Sequence, residues 1–371
     1  MAITIPAGRV LPIQAKAGGG FQSVGLGGWL EGQPPTISSI SGTFTAGQVA
    51  TISVGNLSTK RNGQLAFINF EAETAGQVVT SIQHANLDPG FQKYECETAG
   101  SLFGSKYARC HAIQTRPDQA GIVFDQPYRE IFFEGWTRYQ VPDFVAVGDA
   151  QIKFWRLVPY STIGADAQGE LPRLTWTRED GNGFLLNVDP GPSGQAAWYG
   201  STPLTNVWEP WSGFMKMGDL NTANGKIYAK VGAEDSFTFS GFPGGHAASP
   251  DGSIASSEWD GNEYQIDDGL LQGEIHRLLV PYYTRSDQET ILDIDRIFAN
   301  DSPERVVVGD ASTFTACTPG KRFILKQNGR SGGQIEVDID SLGPLATGPV
   351  YAYVVNSDGL YNTEGYLWRA S

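Results

Sequence analysis

Glycine and proline interrupt this chain too often for helices to serve as its framework. There are 46 glycines and 21 prolines among 371 residues; glycine gives up the most backbone entropy in a regular helix, and proline lacks the amide donor that a helix needs. Between these breakers lie short runs of β-prone residues. Val49, Thr51 and Ser53 alternate with Ala50, Ile52 and Val54, and Ile335, Val337 and Ile339 alternate with Glu336, Asp338 and Asp340. This period of two is that of a half-buried strand. Further strand-like segments run over 65–70, 122–124, 130–139, 151–157, 173–177, 226–229, 237–239 and 274–283. Many short strands separated by turns predict an all-β, antiparallel sandwich. Residues 286–299 also fit a short helix, because Ser286 to Glu289 reads as a capping box and Ile291, Ile294 and Phe298 recur at helical spacing. Strand is the expectation there, since Asp293 and Asp295 alternate cleanly with Leu292 and Ile294.

Charge narrows the partners. Lys and Arg number 26 against 40 Asp and Glu, a formal charge of −14, which disfavours nucleic acid because phosphate backbones are held by basic grooves. No window approaches the ~18 uncharged apolar residues of a membrane helix, so no membrane span is expected. The segment from Met1 to Arg9 has no basic region followed by a long apolar one, so no secretory signal is read and ordinary export is disfavoured. Cys96, Cys110 and Cys317 are too few for a disulfide scaffold. Cys96 and Cys110 are close enough to be hairpin neighbours, but buried thiols are expected.

The pattern divides the chain. Residues 1–33, with Gly18-Gly19-Gly20 and Gly25-Leu26-Gly27-Gly28, read as an extended Gly-rich arm that cannot bury enough surface to fold alone. Residues 34–62 and 304–371 carry short strands at either end, and residues 63–303 hold the long strand-rich centre with most of the Trp and Tyr.

Pro35-Thr36-Ile37-Ser38-Ser39-Ile40-Ser41-Gly42-Thr43-Phe44 and the strand after it resemble the opening strands of IPT-type, immunoglobulin-like modules found in phage virion and bacterial surface proteins. Gly348-Pro349-Val350-Tyr351-Ala352-Tyr353-Val354-Val355 and the turn at Asn356 to Gly359 resemble the closing strands of such a module. The resemblance implies one small Ig-like sandwich split around an inserted or flanked centre. In that centre, Phe67-Ile68-Asn69-Phe70-Glu71, Phe132 to Tyr139 and Ile291 to Phe298 resemble strands of concanavalin A-like jelly rolls of the polysaccharide-lyase and laminarinase type.

Laminarinase-type hydrolases place acidic residues at alternate strand positions. Glu336, Asp338 and Asp340 have that spacing but fall outside the expected cleft-bearing domain, so a solvated strand face is expected. Lyase relatives use a His and a Tyr as base and acid while a cation neutralises the uronate carboxylate. Tyr228-Ala229-Lys230-Val231-Gly232 resembles the start of a lyase signature and then departs from it at Ala233-Glu234-Asp235-Ser236. If the chain is an enzyme, the catalytic candidates are His276, Tyr228 and Lys230, with Arg138 or Glu134 in support; otherwise no catalytic residue is expected. Trp198, Trp208, Trp211, Trp259 and Tyr264 lie in loop-like stretches with Gly and Pro and are the candidate sugar-stacking residues. Their competing reading is packing at the sandwich ends. No metal ligand set is expected; Asp251-Gly252, Asp260-Gly261 and Asp267-Asp268-Gly269 offer oxygen ligands for Ca2+ without the spacing of a dedicated calcium loop.

These resemblances together imply a virion structural component, decorating a capsid or associated with a head fibre or tail. Its expected partners are other virion proteins, further copies of itself and host surface glycans. A polysaccharide lyase or hydrolase, and a lectin-like extracellular adhesin, are the alternatives.

Overall fold

The computed structural model describes residues 14–17, 20–23, 33–57, 63–84, 93–112, 120–140, 151–158, 173–179, 183–189, 195–199, 205–217, 225–231, 236–238, 253–255, 263–264, 274–284, 289–357 and 359–371. The fold is all-β and antiparallel, a jelly-roll sandwich of two eight-stranded sheets accompanied by two four-stranded sheets. We call the large sheets middle and outer. The middle sheet runs Glu263–Tyr264, Gly225–Val231, Glu209–Lys216, Glu130–Gln140, Thr290–Asn300, Tyr107–Ala112, Glu95–Glu97, with Gln64–Ile68 also paired to Thr290–Asn300. The outer sheet runs Gln195–Tyr199, Gly183–Asp189, Arg173–Glu179, Gln151–Val158, Ile275–Leu279, Ala120–Tyr128, Gln83–His84, with Tyr283–Thr284 also on Gln151–Val158.

Strand Glu130–Gln140 shows how the sequence sets the layers. Ile131, Phe133 and Tyr139 enter the core between the large sheets. Phe132 and Trp136, at alternate positions, enter two other clusters on the opposite face. Gly135 belongs to the inward set, and only a glycine fits there: a Cβ at this position would sit inside the indole of Trp155. That indole is fully buried and donates from Nε1 to Thr137 Oγ1 at 2.9 Å.

Thr290–Asn300 is a strand, as its alternation predicts. Leu292, Ile294, Ile297 and Ala299 face the main core. The parity changes between Ile294 and Ile297, where the register against Glu130–Gln140 shifts. This bulge turns both Asp295 and Arg296 away from the core, as bulges commonly do when a side chain must be re-aimed.

The small sandwich joins strands from both ends of the chain. One sheet pairs Thr36–Ser41 and Gln48–Gly55 with Gln334–Ile339 and Lys326–Ser331. The other is formed by Phe323–Ile324, Arg305–Gly309, Val350–Val355 and Tyr366–Arg369. Ile52, Val54, Ile335, Val337 and Ile339 meet Val306, Val308, Val350 and Val354 between them. On the opposite face Glu336 is exposed and Asp338 half-buried, as expected of a solvated strand face, whereas Asp340, just past the strand, is half-buried and bonded to Arg296. Within the N-terminal arm, Gln14–Ala17 pairs with Gly20–Ser23 as a hairpin.

The small sandwich lies on the middle sheet. Val307, Ile324, Tyr353 and Val355 pack on Phe132, Phe214 and Phe298, so the layers stack as outer sheet, middle sheet and small sandwich.

Candidate functional site

Of the two outward faces of a large sandwich, one is already occupied here. Between the middle sheet and the small sandwich, Arg296 is fully buried and grips both carboxylate oxygens of Asp340 at 2.8 Å. Its guanidinium also lies 4.0 Å from the Phe103 ring centroid. Asp295 is buried beside it and accepts from Leu102 N, from Phe103 N at 3.0 Å and from Ser101 Oγ at 3.0 Å, all on Oδ2. Its Oδ1 has no hydrogen-bond partner among the described residues. Burial outweighs those three bonds and pushes the carboxyl up to about 6. Because this folded value lies above that of the unfolded chain, Asp295 contributes stability fully below pH ~4 and loses it as pH rises through 6. The stability of Asp295→Asn relative to the parent should therefore rise from pH 4 to pH 7, by up to about 3 kcal/mol. Urea titrations of both proteins across that range measure the difference, and a flat difference would contradict the assignment.

Toward the free rim of the same face, Asp293 holds two arginines. Arg109 reaches it through Nε at 2.7 Å and Nη2 at 3.0 Å, and Arg138 through Nε at 2.9 Å. Arg138 lies over Trp208 at 4.6 Å and over Tyr107 at 5.4 Å. This is a self-satisfied cluster in which each cation already has a carboxylate and an aromatic face.

The outer sheet is arranged differently. In Gln151–Val158, Ile152, Phe154, Trp155 and Leu157 all enter the core. Two adjacent aromatics can do so because the register shifts between Lys153 and Arg156, and the bulge leaves Lys153 and Arg156 on the outward face together. In the neighbouring strand Leu278 and Val280 point inward, which puts Arg277 and Leu279 outward by alternation. Arg156 pairs with Leu279, and Val158 with Arg277, so the two arginines are diagonal neighbours, and both are fully buried. Tyr283 pairs with Lys153, whose ammonium lies 4.7 Å from the phenol ring centroid.

The backbone register runs on across the sheet. Gln83, Gly121, Leu279, Arg156, Thr175 and Asn187 form one continuous row. Lys153, Thr177, Leu185 and Trp198 form the next.

The residues singled out from sequence fall in several places. His276 lies on the outer sheet directly before Arg277, half-buried, in the stretch where the register against Ala120–Tyr128 is irregular. Tyr228 and Lys230 lie on the middle sheet, opposite Phe214 and Ser212. The structure therefore does not bring these three into one sheet. Glu134 is also on the middle sheet, where it accepts from Trp136 Nε1 at 3.3 Å, and burial raises its carboxyl.

Trp211 requires a correction. It is not in an exposed loop but in a strand, fully buried and stacked on Phe154 at 4.6 Å, so no ligand can reach it. Trp208 immediately precedes that strand, half-buried, with Nε1 donating to Gly100 O at 2.9 Å. Trp198 and Tyr264 also belong to strands rather than loops. Trp259 and the Asp-Gly loops considered for Ca2+ lie outside the described residues. Among the described residues no group of three or more His, Cys, Asp or Glu could hold a metal ion. All three cysteines are free and buried.

His84 was not singled out. Its Nε2 accepts from Tyr94 N at 3.2 Å, and burial, with Lys93 nearby, lowers it to about 4. Its row partner is Ala120, a core residue, so it serves the interior. Sequence reasoning also passed over Lys153, Arg156, Arg277 and Tyr283. Their signal was a single basic residue inside a strongly apolar strand run, as in Phe154-Trp155-Arg156-Leu157-Val158 and Arg277-Leu278-Leu279-Val280.

No family model matches the chain, and no curated protein does. Solved structures of sandwich proteins are similar to it. The cellulose induced protein Cip1 is 11% identical with a TM-score of 0.38, covering 63% of this chain and 96% of that one. The PL-14 alginate lyase from Aplysia kurodai is 9% identical with a TM-score of 0.36, over 56% of this chain and 86% of that one. An endo-1,3-beta-glucanase from Streptomyces sioyaensis is 12% identical with a TM-score of 0.33, over 64% and 96%.

Proposed function

We propose that this chain acts on an acidic polysaccharide at its outer sheet, beside Lys153, cleaving it by elimination. The observation that carries this reading is the pairing of half-buried Lys153 with Tyr283 on the outer sheet, the ammonium 4.7 Å from the phenol ring centroid, in a sheet that also carries half-buried His276. A uronate carboxylate would be held by the Lys153 ammonium. Neutralised in this way, it stabilises the carbanion formed when the adjacent carbon loses its proton. His276, next along the strand from Arg277, is the candidate base. The Tyr283 hydroxyl is the candidate acid that protonates the departing glycosidic oxygen.

The test follows the unsaturated product by ultraviolet absorbance on a panel of polyuronates, with a neutral β-glucan as control. Product is expected from a polyuronate alone, with Tyr283→Phe lowering kcat by about 10²-fold or more and Lys153→Ala raising KM. Absence of both turnover and binding across the panel would remove the proposal. Binding without turnover would leave the adhesin reading, in which the same face only holds the glycan. A virion structural role is a second proposal, supported by the resemblance of the two terminal segments whose strands build the small sandwich; it requires no turnover.

A further inference from the structure

The turn that follows strand Gln64–Ile68 is strained, because Phe70 holds a φ of +59° while its ring is buried in the main core. A non-glycine residue in the left-handed region costs about 1 kcal/mol or more, and persists where the surrounding structure requires it. Here the turn brings two main-chain carbonyls to one point. The Lys106 ammonium donates to Glu71 O at 2.8 Å and to Glu73 O at 2.7 Å. The carboxylates of the same two residues are engaged elsewhere. Glu71 accepts from Ser105 N at 2.7 Å, Ser105 Oγ at 2.7 Å and Lys106 N at 2.9 Å. Glu73 accepts from Thr80 N at 2.9 Å and Ser81 N at 2.7 Å. Gly104, with φ +100°, completes the arrangement, since a Cβ there would press on Glu71 Oε1. The ammonium is thus met by peptide oxygens, neutral acceptors that suit small cations.

We infer that the Glu71 and Glu73 carbonyls form a cation-binding position that Lys106 fills from within the chain, and that shortening this side chain opens the position to a small alkylammonium ion from solution. The internal cation fastens the strained turn to the segment 101–106. That segment supplies the donors to Asp295 and places Phe103 against Trp136 and Phe323, at ring-centroid distances of 5.0 Å each. Lys106 is therefore a positioning residue for the junction between the two sandwiches.

Lys106→Ala deletes the equivalent of n-propylammonium. The variant should melt below the parent, and n-propylammonium chloride should raise its Tm by about 2–4 °C more than tetramethylammonium chloride at matched concentration. The second ion has the same charge but no N–H donor. The parent should respond equally to both salts. An equal response of the variant to both would overturn the inference. If Lys106→Ala does not fold, the parent's 15N spectrum decides: a slowly exchanging lysine ammonium resonance that disappears in Lys106→Arg supports the site, and the lack of any such resonance refutes it.

Discussion

Arg296→Ala should lower the unfolding free energy by about 3–5 kcal/mol, among the largest single losses expected in this protein. The guanidinium is fully buried, bonds both oxygens of Asp340 at 2.8 Å and donates to Ile324 O at 3.3 Å. Among the described residues, truncation leaves Asp340 with only Asn69 Nδ2, at 3.0 Å, and with limited access to water. It also removes the cation lying between the Phe103 and Phe323 rings. Most of the cost therefore comes from stranding a carboxylate, with the pair itself contributing less, and that distinction can be measured. Arg296→Met combined with Asp340→Asn removes both charges while keeping much of the volume, and should recover at least half of the loss. Urea midpoints for the single and double variants report the difference; equal losses would show that packing, and not the stranded charge, sets the cost.

Gly135→Ala should cost about 3 kcal/mol, at the upper end for overpacking. The new methyl group would fall within the Trp155 ring, not at its edge. Trp155 cannot yield easily, because it packs on Phe133 at 5.5 Å and its Nε1 is bound to Thr137. Trp155→Phe in the same background should relieve part of the strain, giving a favourable coupling of about 1 kcal/mol or more in a double-mutant cycle. A Gly135→Ala protein as stable as the parent would mean that the strands Glu130–Gln140 and Gln151–Val158 approach less closely than described.

The strands were legible because a period of two survives without knowledge of tertiary contacts. Glu130–Gln140 and Gln334–Ile339 each declare an inward and an outward face in their own residues, and Asp293 and Asp295 settle 286–299 in favour of a strand over its residues 290–299. Aromatic placement was less legible. Gly and Pro around Trp211 suggested a loop, yet Pro210 lies within strand Glu209–Lys216, and the indole fills the core. The bulges were hidden, because a register shift depends on the partner strand. Without the shift between Lys153 and Arg156, the outward face of the outer sheet cannot be assembled from sequence. The same holds for Arg296, whose partner Asp340 lies 44 positions away in another sandwich.

The split small sandwich imposes a timetable on biosynthesis. Ile52 pairs with Ile335, so strand Gln48–Gly55 waits for nearly 300 further residues to be made before its second neighbour exists. At ribosomal rates this interval is about 15–60 s. Throughout it the nascent hairpin Thr36–Gly55 displays one unpaired edge and an uncovered Ile52 and Val54, while the jelly roll can close around its own strands. Completion of the small sandwich is thereby reserved for the moment when residues 305–369 leave the ribosome, and a chain truncated before them would hold a large sandwich whose aromatic face, at Phe132, Phe214 and Phe298, stays bare.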